Sequence, residues 1–78
     1  MVKAYSLVSV EPGKTPEVSK AIEKMGGVKT VEAVAGPHDL VVRIEVDSLE
    51  KLTNTVFGDI RSIHGVTSTT TLIVVELQ

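Results

Sequence analysis

The chain has 78 residues and no cysteine, so it forms one small domain with a thin core and has neither disulfides nor thiolate metal ligands to reinforce it. Its eight basic and ten acidic residues give a net charge of −2 without any basic stretch, which argues against direct contact with DNA or RNA. No signal peptide and no apolar run approaching about 18 residues is present, which predicts a cytoplasmic protein without a membrane span.

The first half of the chain has the pattern of a strand, a helix and a second strand. Val2 to Val10 alternates without a breaker, and its two faces are Ala4, Val8 and Val10 against Tyr5 and Leu7. Thr15 is expected to cap a helix whose first position is Pro16, with an apolar stripe at helical spacing: Val18, Ala21, Ile22 and Met25. Two glycines then stop the helix, and a strand is predicted from Val28 to Ala35.

The second half repeats this order. Leu40 to Val46 alternates as a strand, and Asp47 or Ser48 is expected to cap a second helix, with Asp47 and Glu50 as a candidate capping box. The apolar stripe of this helix consists of Leu49, Leu52, Val56, Ile60 and Ile63. A last strand is predicted from Val66 to Leu77.

The sequence Gly36-Pro37-His38-Asp39 separates the second and third strands. Glycine and proline favour a turn, and the histidine and the aspartate add two ionisable side chains at its tip. Asp39 could bond a backbone N–H group of its own turn, or it could accept a hydrogen bond from a small polar ligand. The sequence leaves both interpretations open.

The order β-α-β-β-α-β predicts an α+β, ferredoxin-like fold, in which two helices cover one face of a four-stranded antiparallel sheet. The other face receives no helix, yet Tyr5, Leu7, Leu72 and Val74 make much of it apolar. A sheet face in contact with water is normally polar, so a second copy is expected to cover this one, sheet against sheet. The prediction is a homodimer at minimum, arranged as a dimeric α+β barrel or sandwich.

Two segments carry a resemblance to a known family. Residues 36–42 (GPHDLVV) and 65–74 (GVTSTTTLIV), with the strand and helix order around them, resemble the effector domain of the Lrp/AsnC feast/famine regulators, also called RAM. The resemblance covers nearly all 78 residues as a single domain, without the helix-turn-helix that normally precedes it. His38 departs from the pattern, since an aromatic residue such as tyrosine is commoner there.

The resemblance implies a regulatory module that senses amino acids and does not bind DNA itself. It implies dimers that assemble into a closed ring, an octamer or a decamer, with the effector bound between dimers, and association with full-length Lrp/AsnC regulators. The residues expected at that site are Gly36, His38 and Asp39, with Thr69 and Thr71 as possible contributors across the interface. No metal or cofactor is expected.

Two other classes fit parts of the pattern. One is a small dimeric α+β-barrel enzyme with a histidine as base, although a single Phe and a single Tyr leave little to line the usual aromatic pocket. The other is an ACT-type amino-acid-binding domain, against which the turn from Gly36 to Asp39 argues. No catalytic motif, phosphate-binding loop or dinucleotide fingerprint occurs in the sequence, so we expect no enzymatic activity.

Overall fold

The computed structural model describes residues 1–77, with the exception of the side chain of Phe57. Its elements follow in the order β1 (Val2–Val10), α1 (Thr15–Glu23), β2 (Val28–Ala33), β3 (Leu40–Val46), α2 (Leu49–Thr53), a π-helical segment (Asn54–Ile60) and β4 (Val66–Ile73). The four strands form one antiparallel sheet in the order β2-β3-β1-β4. The α+β, ferredoxin-like prediction is confirmed.

Both helices pack against one face of the sheet, which we call the helix face. Side chains of β1 and β3 on this face form a single core with the helices: Ala4, Val8, Leu40, Val42, Ile44, Val46, Val18, Ile22, Leu52, Val56 and Ile60. The alternation of β1 into an inner set with Ala4 and Val8 and an outer set with Tyr5 and Leu7 is as predicted.

The opposite face of the sheet, which we call the open face, has an apolar centre. The register places Tyr5 beside Leu72, and it places Leu7 beside Val41. Tyr5 and Leu72 are 40% and 51% exposed in the single chain, although these residue types usually avoid water. The chain by itself therefore leaves a contiguous apolar surface uncovered.

Helix α1 begins differently from the prediction. Lys14, not Thr15, is the N-cap, and no side chain caps the first turn; Thr15 is the first helical residue, so that Pro16 takes the second position. Lys14 is already held by the preceding turn, where its N–H donates to the Glu11 carbonyl over 3.0 Å. A proline is harmless at either place, because the first N–H groups of a helix have no intrahelical acceptor.

The second helix is capped by Ser48, whose hydroxyl accepts from the Lys51 N–H over 3.2 Å. Asp47 instead forms an ion pair with the Lys51 ammonium group at 3.2 Å. Asp47 is therefore not the N-cap, and the predicted capping box between Asp47 and Glu50 does not cap this helix. After Thr53 the helix widens into π turns, which the sequence did not predict. A row of apolar residues spaced by four suits this change, because a π turn takes more residues than the 3.6 of an α-helix.

Two strands end earlier than predicted. β2 stops at Ala33, not Ala35, because the chain turns back into the hairpin after Val34, whose N–H donates to the Asp39 carbonyl. β4 stops at Ile73, not Leu77. Its partner β1 begins at Val2, so after the bond from the Val74 N–H to the Lys3 carbonyl there is almost no strand left to pair with.

Ser6 places a hydroxyl in the core. The residue is fully buried between Val42 and Thr71 in the register, and its Oγ has no hydrogen-bond partner among the residues described. We expect Ser6→Ala to leave the free energy of unfolding unchanged or to raise it by about 1 kcal/mol, because it removes an unpaired buried polar group. Urea denaturation at matched protein concentration measures this.

Ala4→Ser is the matched control, since Ala4 lies two residues away on the same buried face. The added hydroxyl should lower the free energy of unfolding by about 1–3 kcal/mol. A loss of more than about 1 kcal/mol for Ser6→Ala would show instead that the native hydroxyl makes a stabilising hydrogen bond.

Candidate functional site

The tip of the hairpin between β2 and β3 is a short, exposed loop. The ladder closes with Ala33 opposite Leu40, and the bond from the Val34 N–H to the Asp39 carbonyl, at 2.9 Å, leaves residues 35–38 as the loop. Gly36 has φ +156°, a conformation that residues with a side chain rarely adopt. Apart from Gly36 itself and its two chain neighbours, no described residue has an atom within 4 Å of the position of a Cβ at Gly36, so its backbone is open to an approaching molecule.

Asp39 ties this tip to the end of β1. Its N–H donates to the Val8 carbonyl over 2.9 Å, and its Oδ2 accepts from the Val10 N–H over 2.9 Å. The pairing of β1 with β4 shifts register between Ser9 and Val10, and such a bulge takes a backbone group out of the regular ladder. The carboxylate thus caps a backbone N–H group, but on β1 and not within its own turn.

His38 makes the second bond between the tip and β1. Its Nδ1 lies 3.1 Å from the Ser9 hydroxyl, and the ring is half-buried. Two consecutive side chains of the loop are therefore fixed on two consecutive residues of β1. This double attachment fixes both the imidazole and the carboxylate at the end of β1.

The pair offers complementary chemistry to a ligand. A carboxylate accepts about four hydrogen bonds, and only the bond from Val10 to Asp39 engages it among the side-chain bonds described. The imidazole has a second ring nitrogen, Nε2, with no hydrogen bond to a described residue. A negatively charged hydrogen-bond acceptor and an imidazole in the same turn suit a small molecule that has an ammonium group and a carboxylate.

Thr69 and Thr71 do not join this group within one chain. In the register they lie opposite Val8 and Ser6, so they belong to the helix face and are half-buried there. Thr71 lines a cavity of about 240 Å³ between α2 and β4, among apolar neighbours that include Leu52 and Val56. The two threonines share a face, but that face is not the one that bears Tyr5 and Leu7.

Other charged groups pair locally. Arg43 and Glu45 form an ion pair at 2.8 Å within the chain, on the open face. Within residues 1–77, no group of three or more His, Asp and Glu side chains is arranged so that it could hold a metal ion. Among the same residues, no helix has both the length and the apolar character to cross a membrane.

Sequence reasoning missed Ser9 and Val10. Both appear in the sequence as ordinary strand residues, and only the pairing of β1 with β3 brings them to the hairpin tip. One signal was present, since Ser9 is a polar residue that continues the alternation of the apolar residues Tyr5 and Leu7.

Comparison with known proteins shows which family this chain resembles in sequence. Residues 3–77 match the family model described as the Lrp/AsnC ligand binding domain. The HTH-type transcriptional regulator LysM of Sulfurisphaera tokodaii is 34% identical over 77 residues, which cover 97% of this chain and 54% of that protein. The chain thus spans about half the length of the curated relatives that it matches.

Solved structures of similar chains confirm the fold. TTHA0845 from Thermus thermophilus superposes with a TM-score of 0.94 at 29% identity, covering 100% of this chain and 98% of that one. A complex of the transcriptional regulator NMB0573 from Neisseria meningitidis with L-Met superposes with a TM-score of 0.87 at 19% identity, covering 96% of this chain and 50% of that one. The family match and the shared fold together show that this chain belongs to the Lrp/AsnC family, whose ligand-binding domain it carries.

Proposed function

We propose that the chain is an amino-acid-sensing module that acts in transcription regulation, and that its effector binds at the hairpin tip formed by Gly36, His38 and Asp39. The observation that carries this proposal is that a carboxylate and an imidazole are both attached to the end of β1, in a turn with an open glycine backbone. The ammonium group of an amino acid would bond Asp39, and its carboxylate would lie against the imidazole and the backbone of the turn.

The family match supports a regulatory role over an enzymatic one. The matching family model describes a ligand-binding domain, and the curated relatives carry names of transcriptional regulators. The complex of NMB0573 with L-Met shows that a protein with this fold can hold an amino acid. We carry over the ligand class, an α-amino acid, and leave the individual amino acid open.

Assembly is part of the proposal. The apolar centre of the open face, with Tyr5, Leu7, Val41 and Leu72, supports a homodimer in which two sheets pack face to face. These dimers would join into a ring of eight or ten chains, with the hairpin tips at the contacts between dimers. Thr69 and Thr71 would then contribute to the site only from a neighbouring dimer, since they lie on the helix face of their own chain.

The partners of this assembly would be full-length Lrp/AsnC regulators in the cytoplasm. A net charge of −2 gives this domain no electrostatic attraction for DNA, so we assign DNA contact to the helix-turn-helix domains of such partners. An effector bound between dimers would change the stability of the ring, because ligand binding and association are thermodynamically linked.

Asp39→Asn tests the site. Asparagine keeps an oxygen for the Val10 N–H group but loses the negative charge, so the hairpin should stay attached while the bond to the effector ammonium weakens. A charge-assisted hydrogen bond contributes about 1.5–3 kcal/mol, which predicts a Kd about ten- to 150-fold higher. A thermal-shift screen of the twenty common amino acids identifies the ligand, and calorimetry measures its affinity.

Asp59→Asn is the control, because Asp59 is an exposed aspartate in the π-helical segment and its side chain makes no described bond to the hairpin. It should bind the amino acid as the wild type does. Equal affinity of the wild type and Asp39→Asn would return Asp39 to a purely structural role at the bulge of β1.

A further inference from the structure

The hydrogen bond between Ser9 and His38 determines more than the position of the ring. Oγ of Ser9 and Nδ1 of His38 are 3.1 Å apart, and either atom could be the donor. If Nδ1 carried the proton, the Ser9 hydroxyl would accept it, and its own hydrogen would have no acceptor in residues 1–77. At a half-buried position a hydroxyl hydrogen without a partner is unfavourable.

We infer that Ser9 donates to Nδ1 and thereby fixes His38 in the neutral tautomer that carries its proton on Nε2. The proton of a neutral imidazole is placed by the hydrogen bond that its other nitrogen makes. Nε2, which has no bond to a described residue, is then a hydrogen-bond donor toward any molecule at the hairpin tip.

This inference rests on the proposed function and refines it to a recognition mechanism. The Nε2–H group of His38 donates to the carboxylate of the effector, and Asp39 accepts from its ammonium group. Ser9 is a positioning residue, since it acts through the tautomer of His38 and does not touch the ligand. The site therefore prefers a free α-carboxylate, and it should discriminate an amino acid from its amide.

The tautomer can be measured without any ligand. Long-range ¹H–¹⁵N NMR correlations of the imidazole ring, recorded about 1.5 pH units above the ordinary histidine pKa of about 6.5, distinguish the two neutral tautomers. His64→Gln assigns the signals by removing the only other histidine. We expect the Nε2–H form in the wild type and an increased share of the Nδ1–H form in Ser9→Ala.

Ser68→Ala is the matched control. Ser68 lies directly opposite Ser9 in the pairing of β1 with β4, and its hydroxyl makes no described bond to His38. It should leave the ring signals of His38 unchanged. An Nδ1–H tautomer in the wild type, or identical His38 signals in the wild type and Ser9→Ala, would overturn the inference.

Binding data separate the inference from the proposed function. The probes are the amino acid that gives the largest shift in the screen and the amide of that amino acid. Ser9→Ala should weaken binding of the acid about three- to tenfold and binding of the amide less. If Asp39→Asn weakens binding but Ser9→Ala affects acid and amide equally, the inference fails and the proposed function stands. If Asp39→Asn has no effect, the proposed function fails, and the NMR result decides the tautomer by itself.

Discussion

Leu7→Lys is expected to weaken the proposed homodimer strongly. Leu7 lies at the centre of the open face, between Val41 and Thr70 in the register, and a twofold contact between sheets would bury two copies of the new ammonium group close together. Burial of an unpaired charge costs about 3 kcal/mol, which raises the dimer dissociation constant at least about a hundredfold. Light scattering coupled to size-exclusion chromatography at micromolar concentration measures the change.

Leu49→Lys provides the control. Leu49 is an exposed leucine at the start of α2, 58% accessible, and lies away from the open face. The same substitution there should leave the dimer intact, so that any effect of Leu7→Lys is assigned to the sheet face. A folded, monomeric wild type at micromolar concentration would contradict the face-to-face dimer.

Gly27→Ala should lower the free energy of unfolding strongly. Gly27 has φ +89°, and an added Cβ would lie 2.6 Å from Cγ1 of Val46. The backbone has no room to withdraw, because the Gly27 carbonyl accepts from the Glu45 N–H over 2.8 Å. Backbone strain and overpacking each cost about 1–3 kcal/mol, so we expect the free energy of unfolding to fall by about 2–4 kcal/mol.

The neighbouring Gly26 makes the comparison internal. A Cβ at Gly26 would have no atom within 4 Å from any described residue other than Gly26 itself and its chain neighbours, and the φ of Gly26 is not positive. Gly26→Ala should therefore change the free energy of unfolding by less than about 0.5 kcal/mol. Chemical denaturation of both variants at one protein concentration is the measurement, since the stability of an oligomer depends on concentration. Equal midpoints for the two variants would show that the joint of α1 and β2 relaxes easily.

The sequence predicted those features that depend on neighbouring residues. β1 and β3 have the predicted limits, because each is an unbroken alternation bounded by a turn. The end of β4 could not be predicted in the same way. The residues after Ile73 are as apolar as those before it, and the strand stops where β1 ceases to offer a partner.

The candidate site likewise has a local part, which the sequence predicted, and a part that depends on strand pairing, which it did not predict. The turn from Gly36 to Asp39 is a local feature and was visible in the sequence. The attachments of Asp39 to Val10 and of His38 to Ser9 were not, because each joins residues 29 apart in sequence and depends on the strand register and on the bulge of β1. The π-helical segment was also not predicted, since an apolar spacing of four residues is compatible with both an α turn and a π turn.

The central claim is that an amino acid binds at the hairpin tip. The most direct test is an amide NMR titration of the wild-type protein with the amino acid that stabilises it most in the screen. The account predicts shift changes concentrated at Gly36, His38 and Asp39 and at their partners Ser9 and Val10. Changes concentrated elsewhere, for example around the cavity of about 320 Å³ beside Gly27 and Lys51, or no response to any of the twenty amino acids, would contradict it.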